Sequence, residues 1–573
     1  LVDGPYEVYV QPNTREYHDE RRLRVSRALP LWLSNTDYAQ TPTGTPASRR
    51  AEALTHAARH KGQLFAELAK MALSAWDKVD ARVLRHALEQ IAQWPEQHLS
   101  DLVALLGVRH RYATAPSFPP DVLVALDACV GGVDYTPTPP ATEGHDGPTL
   151  LRLAAEVLAG QLYPEQAFVS DGQTGRWHQQ RGEQAALAWL RQRGTMGLDD
   201  WDNAKTIQDL VVALTHLVAL ADNDDLAELA SVLLDKSFFS LAVNSFRGTF
   251  GAAHSRTDTA AILTGRMEPT AGLSWLLWGQ GTLNHHLAGL ISLALCQEYQ
   301  LPEVVAAIAA DQPAELLSRA AHDTAHTVTY KTPDYMFSSA QDDAPGAPGD
   351  CEHVWQATLG PDALVFTNQP ANLSLADWHR PNFWRGNVAR PRVAQWRDAL
   401  MAIYTAPPEG DGLGFTHAHF PLYAFDEHAL ADGWAFARRG EGYVALRAAH
   451  GLVLVTTGDG AQRELRSPGA ANVWLCQMGR AALDGSFAEF QARVRALPVS
   501  FEAAAARWTT LRGDALAFDW QGPLEVNGSA QVLDGVQQYD NPYTVTARGA
   551  MQMDILHDGQ GVRLVFDEVT GGA

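Results

Sequence analysis

The stretch PEVVAAIAADQPAELLSRAAHDTAHTVTYKT, Pro302 to Thr332, holds the change on which the fold turns. Up to about Ala321 its apolar residues recur at helical intervals, and from His326 onward polar and apolar residues alternate as in a strand. Outward from this point the two halves of the chain differ. Upstream, runs such as EALTHAARHKGQLFAELAKMALSAW, TLLRLAAEVLAGQLY, TIQDLVVALTHLVALA and DLAELASVLLDKSFFSLAVNSF keep the three- and four-residue spacing of helices, separated by turns rich in Pro, Gly and Asp. No strict period repeats, so these helices are expected to pack pairwise rather than as a consensus solenoid. Downstream, short segments that favour strands (HVWQATL, ALVFTN, GFTHAHF, GWAFARR, GYVALRAA, VWLCQM) follow one another at turn-length intervals, with one helix, GSFAEFQARVRAL, among them. The expectation is a multidomain chain, helical over 1–325 and an antiparallel β-sandwich over 326–573.

Size and composition agree with two large parts. The 573 residues exceed the ~250–300 over which one core keeps growing. A hydrophobic fraction of 46% and a charged fraction of 19% describe a globular chain, and no apolar run reaches the ~20 residues of a membrane span. A net charge of −22 argues against nucleic acid and anionic membranes as partners. It also requires any acidic ligand to meet locally concentrated arginines. The four cysteines, Cys129, Cys296, Cys351 and Cys476, are scattered and read as thiols rather than a disulfide frame. The sequence begins at Leu1, so localisation stays open: secreted or periplasmic if a leader preceded it, otherwise cytoplasmic. The oligomeric state is unknown.

Several groups are candidates for chemistry. Asn203 opens one long helix and His254 follows the end of the next, so two antiparallel helices would bring an amide and an imidazole to one side. Arg256 lies beside them. The same residues also read as a helix cap and a carbonyl partner with no ligand. Trp275 and Trp278 are placed to form an aromatic shelf or a core, and Asn284 and His285 are expected on the helix that follows. In the second half Tyr335 and His353 sit on early strands, and the HRPNFWRGNVARPRV loop brings Trp384 and Arg385, suited to ring stacking and to bidentate carboxylate binding. His417 and His419 alternate onto one strand face, and with Asp432 as an oxygen donor they suggest a divalent ion, zinc or manganese, in a structural role. Asp199, Asp200, Asp202 and Glu268 are the carboxylates available to a hydrolase. There is no P-loop, no His-Glu-x-x-His and no nucleophile elbow.

The order of these sites (Asn, imidazole, then a sandwich His) and the blocks HVWQATLGPDALVFTN and FDEHALADGWAFARRGEGYVAL resemble the heparinase II/III and alginate lyase group, nearest to its broad-specificity glycosaminoglycan lyases. That resemblance implies an incomplete (α/α) toroid followed by a β-sandwich, and β-elimination on an acidic, uronate-containing polysaccharide. It implies that Asn203 neutralises the uronate carboxylate, that His254 is base or second neutraliser with Arg256 in support, and that Tyr335 and His353 approach from the sheet side. The sequence departs from the group in having no tyrosine near HSRTDT. Two other functions remain alternatives: a toroid glycoside hydrolase, and a glycan-binding protein without catalysis.

Overall fold

The computed structural model describes all residues except 1–3, 11–26, 34–36, 137–144, 376–378, 408–411, 503, 534, 536 and 568–573. A hairpin of Gly4–Val10 and Arg27–Leu33, which the periodicity did not signal, precedes the helices. The helices then run from Pro46 to Ala310. At their centre lies Ala204–Leu220, buried along almost its whole length and flanked by Asp146–Leu162 and Asp224–Val243. Its sequence is apolar nearly all round, as a helix enclosed by other helices requires. Its start is fixed by Asn203, whose side-chain oxygen accepts from the backbone N–H of Lys205 and Thr206. Asn223 caps the next helix in the same way.

The helices end sooner than their spacing suggested. Glu303–Ala310 is helical, but Leu316–Ala321 is a strand paired with His326–Lys331. Pro313 interrupts the run, and Leu316, Ser318 and Ala321 are buried against a sheet. A short apolar run reads equally as helix or strand, and the neighbouring strand decided it.

The C-terminal part consists of antiparallel sheets. Ten strands run in the order Val453–Leu454, Glu464–Pro468, Phe415–His419, Leu364–Asn368, Trp355–Thr358, Met336–Gln341, His326–Lys331, Leu316–Ala321, Tyr539–Asn541 and Thr544–Thr546. A six-stranded sheet shares one core with it: Tyr330, Phe337 and Val365 from the first meet Leu400, Val444 and Trp474 from the second. The outer face of the six-stranded sheet buries a second core under the Phe487–Ala496 helix and a five-stranded meander, Val499–Gln531. That helix, expected from its sequence, opens with the capping box Ser486–Glu489.

The last strands turn back onto the helices. Met553, Ile555, Leu564 and Phe566 belong to the helical core, and the Phe566 ring covers Gly194, where a β-carbon would come within 2.2 Å of it. The buried Lys236 donates to the Gly194 carbonyl and to Gln538, and burial pulls its ammonium down to about 7. Among the described residues no helix is long and apolar enough to cross a membrane.

Candidate active site

The site lies where the helical part meets the first strands. After the Asp224–Val243 helix the chain makes a two-stranded turn, Ser245–Phe246 against Thr249–Phe250, with Gly248 at φ +83°. A β-carbon on Gly248 would meet the Gly281 nitrogen at 2.3 Å, so only glycine fits there. The following segment is held from both sides. Ser255 N–H donates to the Trp201 carbonyl, His254 and His353 exchange both backbone hydrogen bonds (2.8 and 2.9 Å), and Thr257 N–H donates to the Cys351 carbonyl. Residues 254–257 are thus fixed between the start of the Ala204–Leu220 helix and the 351–353 segment of the sheet part.

This bridge brings the two histidines together, with ring centroids 5.8 Å apart and planes within 26°. The Nδ1–H of His254 donates to the Asp202 carbonyl at 2.7 Å, leaving its lone pair on Nε2. The Nε2–H of His353 donates to Gln356 Oε1 at 2.9 Å, an orientation set by the Gln356 amide donating to Thr358, so here the lone pair is on Nδ1. Burial pushes His254 down to about 4 and His353 to about 3, the latter also through its neighbour His254. Both are therefore neutral at pH 7 and able to accept a proton.

One residue away opens a cavity of about 310 Å³, bordered by Asn203, Lys205, Arg256, Cys351, Arg380 and Arg385 among others. Asn203 has a defined polarity there. Its oxygen is committed to the helix cap, so its amide nitrogen is left as a donor, without a hydrogen-bond partner among the described residues. Arg256 is exposed and its guanidinium has no hydrogen bond or ion pair among the described residues. Arg385 is mostly buried, donates to the Thr257 carbonyl, and its N–H at Nη1 ties the loop to the cavity wall. The histidines themselves do not line the cavity; His254 is tied to the carbonyl of Asp202, the residue before Asn203, and lies two residues before Arg256.

The other sequence candidates lie elsewhere. Tyr335 is buried against Tyr330 in the core between the two sheets, because an aromatic ring on an inner strand position packs; burial raises its phenol far above the ordinary range. Trp275 and Trp278 are buried in the helical core, so they form no shelf. Asn284 and His285 precede the Ala288–Leu295 helix instead of lying on it. The Asn284 amide ties the carbonyls of Arg266 and Glu268, and the His285 ring lies 4.1 Å from that of His286. Trp384 stacks on His417 at 4.3 Å inside a small aromatic cluster.

His417 and His419 do share a strand face, but Asp432 pairs with Arg495 on an exposed turn of the other sheet. The Nδ1 atoms are engaged, by Glu464 for His417 and by the Leu364 carbonyl for His419. Among the described residues no three His, Cys, Asp or Glu side chains are grouped to hold a metal ion, so the set His417, His419 and Asp432 does not fit one. Of the hydrolase carboxylates only Asp200 lines the cavity. Asp199 pairs with Arg193, Asp202 is buried against Ser240 and Asn244 and pushed up to about 7, and Glu268 is buried against Thr270 and pushed up to about 8. Sequence reading missed Lys205, Asp209 and Asp258 as cavity residues, whereas Arg380 belongs to the arginine-rich loop it had marked for carboxylate binding. Only the helix start at Asn203 hinted at the first two, since they lie in the first two turns of that helix.

No family model matches the chain, and no curated protein matches it in sequence. Among solved structures it is similar to the heparan sulfate lyase HepC from Pedobacter heparinus, at 12% identity and a TM-score of 0.35, over 86% of this chain and 83% of that one. It is also similar to a heparinase III gene product, at 10% identity and a TM-score of 0.30, over 80% and 76%. Likeness at this level assigns neither chemistry nor residues.

Proposed function

We propose that the protein is a polysaccharide lyase that cleaves a uronate-containing glycan by β-elimination at the Asn203–Arg256 wall. The observation that carries this reading is one uncommitted amide donor and one uncommitted guanidinium on a single cavity wall, backed by two neutral imidazoles. A uronate carboxylate held by Asn203 Nδ2 and Arg256, with Arg385 and Arg380 nearby, has its negative charge neutralised, including the charge that moves onto it as the C5 proton leaves. The proton on the adjacent C5 then becomes more acidic. His254 is buried outside the cavity lining, so for its neutral Nε2 to take that proton the glycan has to part the Asn203–Arg256 wall; the C–H electron pair then becomes the C4–C5 double bond. The C4–O bond breaks, and its oxygen takes a proton from the imidazolium just formed or from a second acid. His353 keeps the His254 ring in place and supplies a second neutral imidazole. In the same reading the helices form the incomplete toroid and the facing sheets the sandwich, divided just after the last helix. The glycan is alginate-like or a glycosaminoglycan.

A second reading is favoured by the three carboxylates that border the same cavity among the described residues, Asp200, Asp209 and Asp258. Two opposed carboxylates are what a glycoside hydrolase needs. Asp209 is held by Lys205 at 2.7 Å, Asp258 accepts the Ala261 N–H at the start of a short helix, and Asp200 accepts from the Thr206 hydroxyl at 3.4 Å with His145 3.8 Å away, so the acid and the base would be drawn from these three. The products separate the two reactions. A lyase creates a conjugated double bond that absorbs in the ultraviolet, whereas a hydrolase adds water and leaves no new absorbance. A panel of alginate, heparin, heparan sulfate, hyaluronan and chondroitin should yield the absorbing product with at least one member, and Arg256→Gln should slow it at least tenfold. Cleavage without absorbance would establish the hydrolase; no cleavage of any member would overturn the lyase.

A further inference from the structure

Far from this cavity, the inner face of the ten-stranded sheet does something unusual at its open end. Cross-strand partners share a face, so Leu317, Tyr330 and Phe337 form one row, Arg319, Val328 and Ser339 the next, and Ala321, His326 and Gln341 a third. The first row is buried in the core between the sheets. The later rows carry an arginine, a histidine and a glutamine at positions whose alternation is that of core residues.

These polar groups border a groove made of two adjoining cavities, about 120 and 320 Å³, that share Gln341, Leu524, Gln531, Val532 and Leu533. The opposite wall is the turn that carries Trp396 and Arg397, together with Arg392. Arg319 is half-buried, yet its guanidinium has no hydrogen bond or ion pair among the described residues. Asp540, its cross-strand neighbour, does not pair with it. Gln341 is buried, and its amide too is without a partner among the described residues. Both polar groups still reach solvent, so an anion entering the groove can meet the guanidinium directly and gain a charge-assisted hydrogen bond.

The charge is as telling as the geometry. The chain has 66 acidic against 44 basic residues, yet among the described residues the groove is lined by three arginines and one aspartate, Asp342, itself held by Arg392 at 3.2 Å. Glu315 stands 3.9 Å from Arg397 outside the lining. The half-buried Trp396, its N–H fixed by Asp514 at 2.9 Å, adds an aromatic surface beside the cations. An unpaired cation, an unengaged amide and a fixed indole within one elongated groove match the three features of an acidic sugar chain: its charges, its hydroxyls and its apolar ring faces.

We propose that this groove is a second binding site for an acidic oligosaccharide, separate from the Asn203 cavity and independent of whether that cavity cuts. It holds the anionic group on Arg319, with Gln341 on a hydroxyl and Trp396 against a ring. The test uses the full chain carrying Asn203→Asp, so that bound sugar is not consumed, titrated calorimetrically with three hexasaccharides: from heparin, from alginate, and cellohexaose as the neutral control. At least one acidic hexasaccharide should bind; Arg319→Gln should weaken it about tenfold or more, as for a lost charge-assisted hydrogen bond. Arg319→Lys should retain most of the affinity, which shows that a loss in the Gln variant is not misfolding. Binding of the heparin fragment alone would assign the anion as sulfate, and binding of both as carboxylate. Cellohexaose binding as tight as the acidic sugars, unchanged affinity in Arg319→Gln, or no saturable acidic binding would each overturn the proposal.

Discussion

Asn203 does two things that can be separated by substitution. Its Oδ1 caps the Ala204–Leu220 helix through the N–H groups of Lys205 (3.0 Å) and Thr206 (3.2 Å), while its Nδ2 is the donor on the cavity wall. Asn203→Ala removes both and should cost about 1 kcal/mol of stability, the usual value of a helix cap. Asn203→Asp keeps a capping oxygen of the same size, and its negative charge suits a helix N-terminus. It nevertheless replaces the N–H donor with an anionic oxygen facing the substrate carboxylate. Stability by urea unfolding should therefore stay within about 0.5 kcal/mol of the parent, since Asn and Asp cap nearly equally well. Turnover should fall by at least the ~10²–10³ that one electrostatic donor supplies in the transition state. Asn203→Ser, a good cap with no amide, should behave likewise in stability and lose somewhat less activity, because it adds no repulsion. The loss should appear in kcat more than in KM, because charge builds on the carboxylate as the proton leaves. The assay is initial-rate ultraviolet absorbance on the responsive glycan, with unfolding measured on the same preparations. Near-parental turnover in a folded Asn203→Asp protein would refute the role assigned to the amide.

The remaining predictions concern the surroundings. If His254 is the base, its ring must be neutral, and burial places its folded pKa at about 4; the rate should fall as pH drops through about 4 and stay flat from there to neutrality, and a limb near 6.5 would mean a solvated base instead. Tyr335→Phe should leave turnover within about twofold, as its ring lies between the sheets, and a hundredfold loss would place the phenol in the chemistry after all. Phe566→Ala should cost about 3–5 kcal/mol in denaturant unfolding, and Gly194→Ala should also destabilise because the added carbon meets the Phe566 ring; small effects from both would mean that the last strands contribute little to the helical core.

Periodicity alone was enough to place helices before antiparallel strands and to locate individual elements such as Phe487–Ala496, because each depends on spacing and capping within its own few residues. It also marked Asn203 as a helix start, which is a local property. Whether Leu316–Ala321 would be helix or strand was undecided locally and was settled by the His326–Lys331 strand alongside it. The meeting of His254 with His353 depended on a backbone bridge between segments distant in sequence, and the separation of Asp432 from His417 and His419 on the sheets to which their strands belong. Tyr335, Trp275, Trp278 and Trp384 show the same limit from the other side: an aromatic side chain suits a cleft and a core equally well, and only the packing around it assigns one. Local residue chemistry sets what a side chain can do. Which groups it meets is a long-range property, fixed when the helices and sheets close on one another.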